Sequence, residues 1–283
     1  MKPIFSFLIL ISVLFSQTQS WAFIPSSNMI LQKTVENSGS GIYKMEQEVH
    51  CTQGSKEFST KETWTIANDK MLKVSASGMG ELKTTFKYGA VYNQGNKTTI
   101  LNQNKVSQKN SPEFIEKFLH FRNITSIFES LLNLKVLSSS ALEKKILKKN
   151  ELPLSNKEAR LSRVGGVIAY AFGDPSETNS EKFNPGVWIE QDQFVIRKIK
   201  FAEQSEVMSD NFTIFPKNFI YPKTRLVKWN NISCLINVVN IKSENIGNVA
   251  SAFSPQTFID SSVNNILDPD VKNLINDFYK RFR

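Results

Sequence analysis

Two acids, Glu190 and Asp192, sit in the stretch GVWIEQDQFVIRKIKF, residues 186–201. A carboxylate pair is the equipment of general acid–base and glycosidic chemistry when an apolar pocket pushes one of the two pKa values up. Here the run Glu190-Gln191-Asp192-Gln193 separates two apolar stretches, 187–189 and 194–201, so it reads as the polar turn of a β-hairpin. A hairpin tip offers no such pocket. Glu46 and Glu48 form a second pair, but they alternate with Tyr43, Met45 and Val49 and read as the solvated side of an amphipathic strand. His50-Cys51 has the residue types of a nucleophile and its base, yet neighbouring strand residues point to opposite faces and cannot pair. Neither His50 nor His120 belongs to a set of three or four ligands such as zinc requires. No GxSxG elbow, P-loop or dinucleotide fingerprint opens a helix. The expectation is a protein with no catalytic residues, no metal and no cofactor.

The conspicuous chemistry is apolar. Hydrophobic residues make up 40% of the chain, and 21 of its residues are Phe, enough for a large interior. Aromatic strand faces and Phe-rich helices suit either a filled core or a covered cavity that takes up an apolar ligand. Composition favours the filled core, because packed interiors are the norm.

The N-terminus carries Lys2, an apolar run over 4–15 broken only by Ser6 and Ser12, and Ser20-Trp21-Ala22. That pattern predicts a signal peptide over residues 1–22 and a mature chain from Phe23, in one domain over 23–283. The run is too short to span a membrane. The formal charge of +9 becomes +8 once Lys2 is removed. For an exported chain with dispersed lysines, that charge implies solubility or an anionic surface, and no nucleic acid. Export also permits a disulfide between Cys51 and Cys234, which the sequence alone leaves open.

Around these residues the predicted elements form a simple order. A helix capped by Ser27 covers 27–37, with Ile30, Leu31, Thr34 and Val35 on its apolar face. A strand meander follows, with Phe58, Trp64 and Ile66 on one face, then Leu72, Val74 and Ala76, then Leu82, Phe86, Tyr88 and Tyr92, and one more strand over 97–106. The period then changes to helical at Ser111-Pro112, giving helices at 112–119 and 124–135, before a Ser- and Lys-rich exposed connection at 137–157. Strands resume at 158–173, where Gly165-Gly166 suggests a bulge, and continue around 207–215, 218–229 and 232–243. A helix capped by Asp268 closes the chain. Its apolar face is Val271, Leu274, Ile275, Phe278 and Phe282, and Lys280, Arg281 and Arg283 suit its C-terminal dipole. So many strands call for a strongly curved sheet or open barrel around the central helices.

Three segments resemble the periplasmic outer-membrane lipoprotein carrier (LolA-like) family: ILQKTVENSGSGIYKMEQEV as its first helix and strand, KETWTIANDKMLKVSASG as its next hairpin, and GVWIEQDQFVIRKIKF as its late hairpin. FSPQTF, residues 253–258, is similar to the family's closing strand. The resemblance implies an α+β fold, a half-open, strongly curved antiparallel β-barrel covered by a helical lid. It implies a monomeric, non-catalytic periplasmic carrier that binds lipoprotein acyl chains or other lipids for transport to, or sorting at, the outer membrane. Membrane-bound donor and acceptor proteins would be its partners. The cavity would be lined by Tyr43, Met45, Trp64, Ile66, Leu72, Val74, Phe86, Tyr88, Trp188, Ile199 and Phe201, under a lid bearing Phe114, Phe118, Phe128 and Leu131. The alternative is an envelope structural or partner-binding protein of the same fold. The family places an Arg that latches the lid just after the Trp-bearing strand. Here that stretch is Ala67-Asn68-Asp69-Lys70, with Lys70 the nearest cation.

Overall fold

A computed structural model describes residues 24–101, 104–137, 158–173, 184–254, 261, 266 and 268–283. The signal-peptide expectation and nearly all of the 137–157 connection lie outside them. Helix α1 (Ser27–Glu36) buries Ile30, Leu31, Thr34 and Val35 as its periodicity requires. Its cap is Ser26 rather than Ser27. The Ser26 residue is extended and its hydroxyl accepts from the Met29 amide at 3.2 Å, whereas Ser27 is already helical and buried.

Two antiparallel meanders follow. The first is β1 (Ile42–Gln53), β2 (Lys56–Asn68), β3 (Met71–Gly78), β4 (Lys87–Asn93), β5 (Asn96–Leu101) and β6 (Asn104–Lys109). The second is β7 (Arg160–Val164), β8 (Val167–Gly173), β9 (Gly186–Glu190), β10 (Ile196–Lys200), β11 (Ser205–Phe215), β12 (Phe219–Trp229) and β13 (Ile232–Glu244). All belong to one sheet of order β6-β5-β4-β3-β2-β1-β13-β12-β11-β10-β9-β8-β7. Strand β1 pairs with β13, so the first and last strands zip the two meanders together. Cys51 and Cys234 are register partners on this seam and are disulfide-bonded, with Cα atoms 4.0 Å apart. Strands β6 and β7 end the sheet, which is therefore an open, curved barrel rather than a closed one.

The remaining helices among the described residues are α2 (Ile115–Leu119), α3 (Ile124–Asn133), α4 (Val249–Ala252) and α5 (Pro269–Arg281). The chain must travel from one sheet edge, β6, to the other, β7, and α2 and α3 lie on that crossing. Both bury their apolar residues in the same core as the inner strand faces, so they cover the concave side as a lid. Helix α2 starts at Ile115 instead of 112. Pro112 lies in a preceding turn, where the Ser111 hydroxyl accepts from the Glu113 amide at 3.1 Å.

Other departures have simple causes. The single strand expected over 97–106 is a hairpin of β5 and β6, and all six residues of β6 are exposed, so no alternation marks it. Leu82 lies in a 3-10 turn, Gly80–Lys83, ahead of β4. Gly165-Gly166 is not a bulge. With φ of 56° and 83° it is the two-residue turn joining β7 to β8, a conformation that needs positive φ at both positions. Phe253 caps the short helix α4 and starts no strand, while 255–258 lie outside the described residues.

Candidate functional site: the concave interior and its lid

Side chains alternate along each strand, so the inner face of β1 carries Tyr43, Met45, Gln47, Val49 and Cys51, and that of β2 carries Phe58, Thr60, Glu62, Trp64 and Ile66. The apolar members of these two faces, with Leu72, Val74, Phe86, Tyr88, Ile199 and Phe201, form one continuous apolar wall. The lid residues Phe114, Phe118, Phe128 and Leu131 pack into the same cluster. Phe114 stacks on Tyr92 with ring centroids 4.1 Å apart, and Trp64 lies 6.3 Å from Phe114. Phe118 meets Phe201 edge-on at 5.6 Å.

Trp188 is a correction. Its neighbours Val187 and Ile189 enter the main core, so Trp188 points to the opposite face of β9. There it packs with Val164, Ala169 and Ala171 in a separate cluster, and Lys198 lies over its ring. It does not line the interior. The turn reading of Glu190 is also corrected. Glu190 ends β9, is 6% exposed and pairs with Arg197, which in turn bonds Asp210. Asp192 does lie in the turn. Arg197 holds Glu190 in an ion pair on the strand, apart from the turn that carries Asp192.

The wall is already covered by the protein itself. Helix α5 lies against it through Leu274, Ile275, Phe278, Tyr279 and Phe282. Tyr279 contacts Phe86 and Tyr88, Phe278 contacts Phe58, and Phe282 contacts Trp229. The Tyr279 hydroxyl bonds Thr60 at 2.9 Å, and the Trp229 indole donates to Asp277 at 2.6 Å. A gap between the end of α1, the lid and strands β10–β12, beside Phe118 and Tyr221, measures about 20 Å³, close to the volume one water occupies.

At the centre lies a charge network that the apolar pattern conceals. Gln47, Glu62, Glu116, Arg225 and Arg283 are each 0% exposed, so the four charges among them depend on protein partners rather than on solvent. Arg225 on β12 donates to Glu116 of α2 at 2.5 Å and to the Gln47 amide oxygen, and the Tyr221 hydroxyl donates to Glu116 at 2.7 Å. Gln47 donates to Glu62 at 2.6 Å, as does the Trp64 indole at 2.9 Å. Arg283, just past α5, donates to Glu62 at 2.9 Å and stands 3.9 Å from Glu116. Burial alone would raise the Glu116 carboxyl, but Arg225, the His120 ring 3.4 Å away and Arg283 hold it well below the usual range. Burial opposes the Arg283 charge, and Glu62 and Glu116 more than offset it. Burial lowers His120, against the pull of Glu116 beneath it.

These are latches. Glu116 fastens the lid to the wall, Arg283 fastens α5 to the wall, and Arg281 fastens α5 to the lid segment by two bonds to Glu113, at 2.6 and 2.8 Å. Lys70, the cation nearest the family's latch position, is exposed in the β2–β3 turn and reaches none of this network. Strand parity puts Gln47 inward between Met45 and Val49, and Glu62 inward beside Trp64, but Arg225 follows the exposed Lys223 on its own parity and gives no such signal. The C-terminal residues Arg281 and Arg283 were expected only to complement a helix dipole, and instead they are anchors. Among the described residues no group of acids, His or Cys is arranged to hold a metal.

No protein-family model matches the chain, and a search of curated proteins finds no relative. Solved structures do match in shape. A LolA superfamily protein from Nitrosomonas europaea superposes with a TM-score of 0.51 at 8% identity, covering 83% of this chain and all of that one. A domain classed with outer membrane lipoprotein-sorting proteins, from Vibrio parahaemolyticus, gives 0.50 at 12% identity, covering 81% of this chain and 96% of that one. The chain therefore has the LolA-like fold, an open curved barrel with a helical lid.

Proposed function

We propose that the protein is a non-catalytic carrier that binds lipid or lipoprotein acyl chains on the concave wall, acts in the periplasm after removal of residues 1–22, and is held closed here by its own C-terminal helix. The supporting observation is that the aromatic wall is covered by separate helices fastened at a few charged points, not by a second sheet. Such a cover can leave as a unit. The magnitudes make the exchange balanced. A buried acyl chain of about fifteen methylenes contributes on the order of 12 kcal/mol, at ~0.8 per CH₂. The four buried side chains of α5 and its C-cap Phe282, at about 2 kcal/mol each, contribute on the order of 10. A guest can therefore compete with α5 once the latches give.

Delipidated protein mixed with a fluorescent fatty-acyl probe tests this. Uptake is expected to be weak in the native chain, stronger when Phe278→Ala loosens α5, and lost in Phe118→Asp. If folded Phe278→Ala protein takes up no probe, the carrier reading is wrong. Edman sequencing of the exported chain is expected to begin at Phe23.

The filled interior favours a second reading, a partner-binding envelope protein of the same fold whose interior never opens. The gap beside Phe118 and Tyr221, about 20 Å³, is far below the roughly 300–1,000 Å³ of ligand pockets, and the wider space of about 740 Å³ beside Phe58, Leu82 and Val271 is a half-open cleft at the start of α5 rather than an enclosed cavity. Hydrogen exchange separates the two. In a carrier the α5 amides open well below the global unfolding free energy, and in a permanently filled protein they open only with it.

A further inference from the structure

The interior latches leave one polar feature unused. At the mouth formed by the β2–β3 turn, the β4–β5 turn, the end of β6 and the lid helices, a pocket of about 460 Å³ opens beside Asp69, Asn110 and Lys117. Asp69 is 6% exposed, and its buried Oδ2 has no hydrogen-bond partner. The buried Oδ1 of Asn110 likewise has none. Two orphaned acceptors lining one pocket are costly unless something donates to them. Three cations line the same pocket, Lys70, Lys109 and Lys117. Among the described residues none of the three lies in an ion pair, though Lys117 feels Asp69 and the exposed Glu129 at longer range. Burial raises the Asp69 carboxyl, against the pull of Lys70, Lys117 and the Ser126 hydroxyl, and lowers the Lys117 ammonium, against Asp69 and Glu129. The inner side of the pocket is Phe118 and Leu134, both buried lid residues, so it abuts the apolar interior.

A simple anion would meet the Asp69 carboxylate here, and a simple cation would meet three ammonium groups. A ligand carrying a phosphate and an ammonium a few bonds apart answers both. The geometry points to a headgroup site: this mouth binds a phosphorylated amine, its phosphate on Lys70, Lys109 and Lys117 and its ammonium on Asp69 Oδ2. Chains attached to it would run past Phe118 toward the interior, and that extension alone rests on the carrier reading. The same chemistry is present in a free phosphoamine and in a zwitterionic phospholipid.

The full chain is titrated by calorimetry with inorganic phosphate, ethanolamine, O-phosphoethanolamine, dihexanoyl phosphatidylethanolamine, dihexanoyl phosphatidylglycerol and decanoate. O-phosphoethanolamine is expected to bind at least tenfold more tightly than phosphate or ethanolamine, and the ethanolamine lipid more tightly than the glycerol lipid. Asp69→Asn is expected to abolish both preferences, and Lys117→Met to weaken every phosphate-bearing probe. O-phosphoethanolamine binding no better than phosphate, or an unchanged preference in folded Asp69→Asn, overturns the site. Should Asp69→Asn fail to fold, Lys109→Gln, at an exposed strand end, is expected to weaken the phosphate probes, and its failure to do so overturns the site equally. If both lipids and decanoate bind alike, the headgroup site falls and the carrier stands. If the headgroup preferences hold but the lipids bind no better than O-phosphoethanolamine, the site stands and the carrier falls.

Discussion

The lid and the C-terminal helix occupy the same interior, yet they are fastened with opposite polarity. The lid brings a carboxylate, Glu116, to an arginine fixed in the wall, Arg225. Helix α5 brings an arginine, Arg283, to a carboxylate fixed in the wall, Glu62. Gln47 touches both pairs, accepting from Arg225 and donating to Glu62. A buried ion pair adds little net stability against a hydrophobic equivalent, but it strongly penalises loss of one partner. Two such pairs therefore act less as glue than as a check that both covers are seated. They differ in what happens on release. Arg225 has nowhere to go, because β12 is a central strand. Arg283 can swing into water with the end of α5.

That difference sets the largest expected effect. Arg225→Met leaves Glu116 buried without its wall partner and should cost about 3–5 kcal/mol in urea unfolding, much of it recovered by adding Glu116→Leu. Glu62→Gln should cost clearly less globally, while accelerating hydrogen exchange in α5 and sparing β1. Equal, global losses from the two variants would mean that α5 is as fixed as the wall.

The next effect probes the wall that both latches share. The Cys51–Cys234 bond spans 183 residues of sequence and sits on the β1–β13 seam. Replacing both with Ala should remove about 2–4 kcal/mol, through release of the unfolded chain. The loss should add to that of either latch variant, because the disulfide has no charge to share with them.

The interior apolar wall was legible in sequence because it follows the strand period. Tyr43, Met45, Trp64, Ile66, Leu72 and Val74 alternate in plain view, and all are buried. Trp188 failed for the reason the others succeeded. Both faces of β9 are buried, so alternation no longer says which side is inside. The latches failed for a different reason. Glu62 lies between Thr60 and Trp64 on the inward parity, but a charged residue at an inward position is read as noise unless its partner is known. The partners are far away in sequence, Arg283 being 221 residues from Glu62. Parity can say that Glu62 points inward. Only the three-dimensional pairing of β2 with the end of α5 says why it can.

A third effect tests the fastening of α5 through protons. Lys97 donates to the main-chain oxygens of Tyr279, at 2.8 Å, and Arg283, at 2.6 Å, at the C-terminal end of the helix. Burial, with Arg283 beside it, pulls the Lys97 ammonium down to about 7. The unfolded chain keeps that proton to about pH 10.4. Between these values the unfolded state binds more protons than the folded one, so stability rises with pH, by at most about 1.4 kcal/mol per unit. Below pH 7 this group contributes no slope. Lys97→Met should flatten the wild-type slope between pH 7 and 9.5 in chemical denaturation series. An unchanged slope would remove Lys97 from the fastening.

The smallest effect compares the two covers at their starts. Asp268 caps α5 by accepting from the Asp270 and Val271 amides, at 2.9 and 3.3 Å, and it also pairs with Lys56 at 2.7 Å. Asn123 caps α3 by accepting from the Thr125 amide at 2.7 Å. Each change to Ala should cost about 1 kcal/mol. The Lys56 pair adds little to this, because both of its side chains are about two-fifths exposed. The readouts should nonetheless diverge. Loss of the Asn123 cap is felt by a helix enclosed between α1 and the wall, and should appear in global unfolding. Loss of the Asp268 cap loosens the end of α5 furthest from the Arg283 latch, and should appear first as faster exchange near Val271 with little change in the melting temperature. If the two caps give the same global loss and no local signature, α5 is an integral part of the core and not a removable cover.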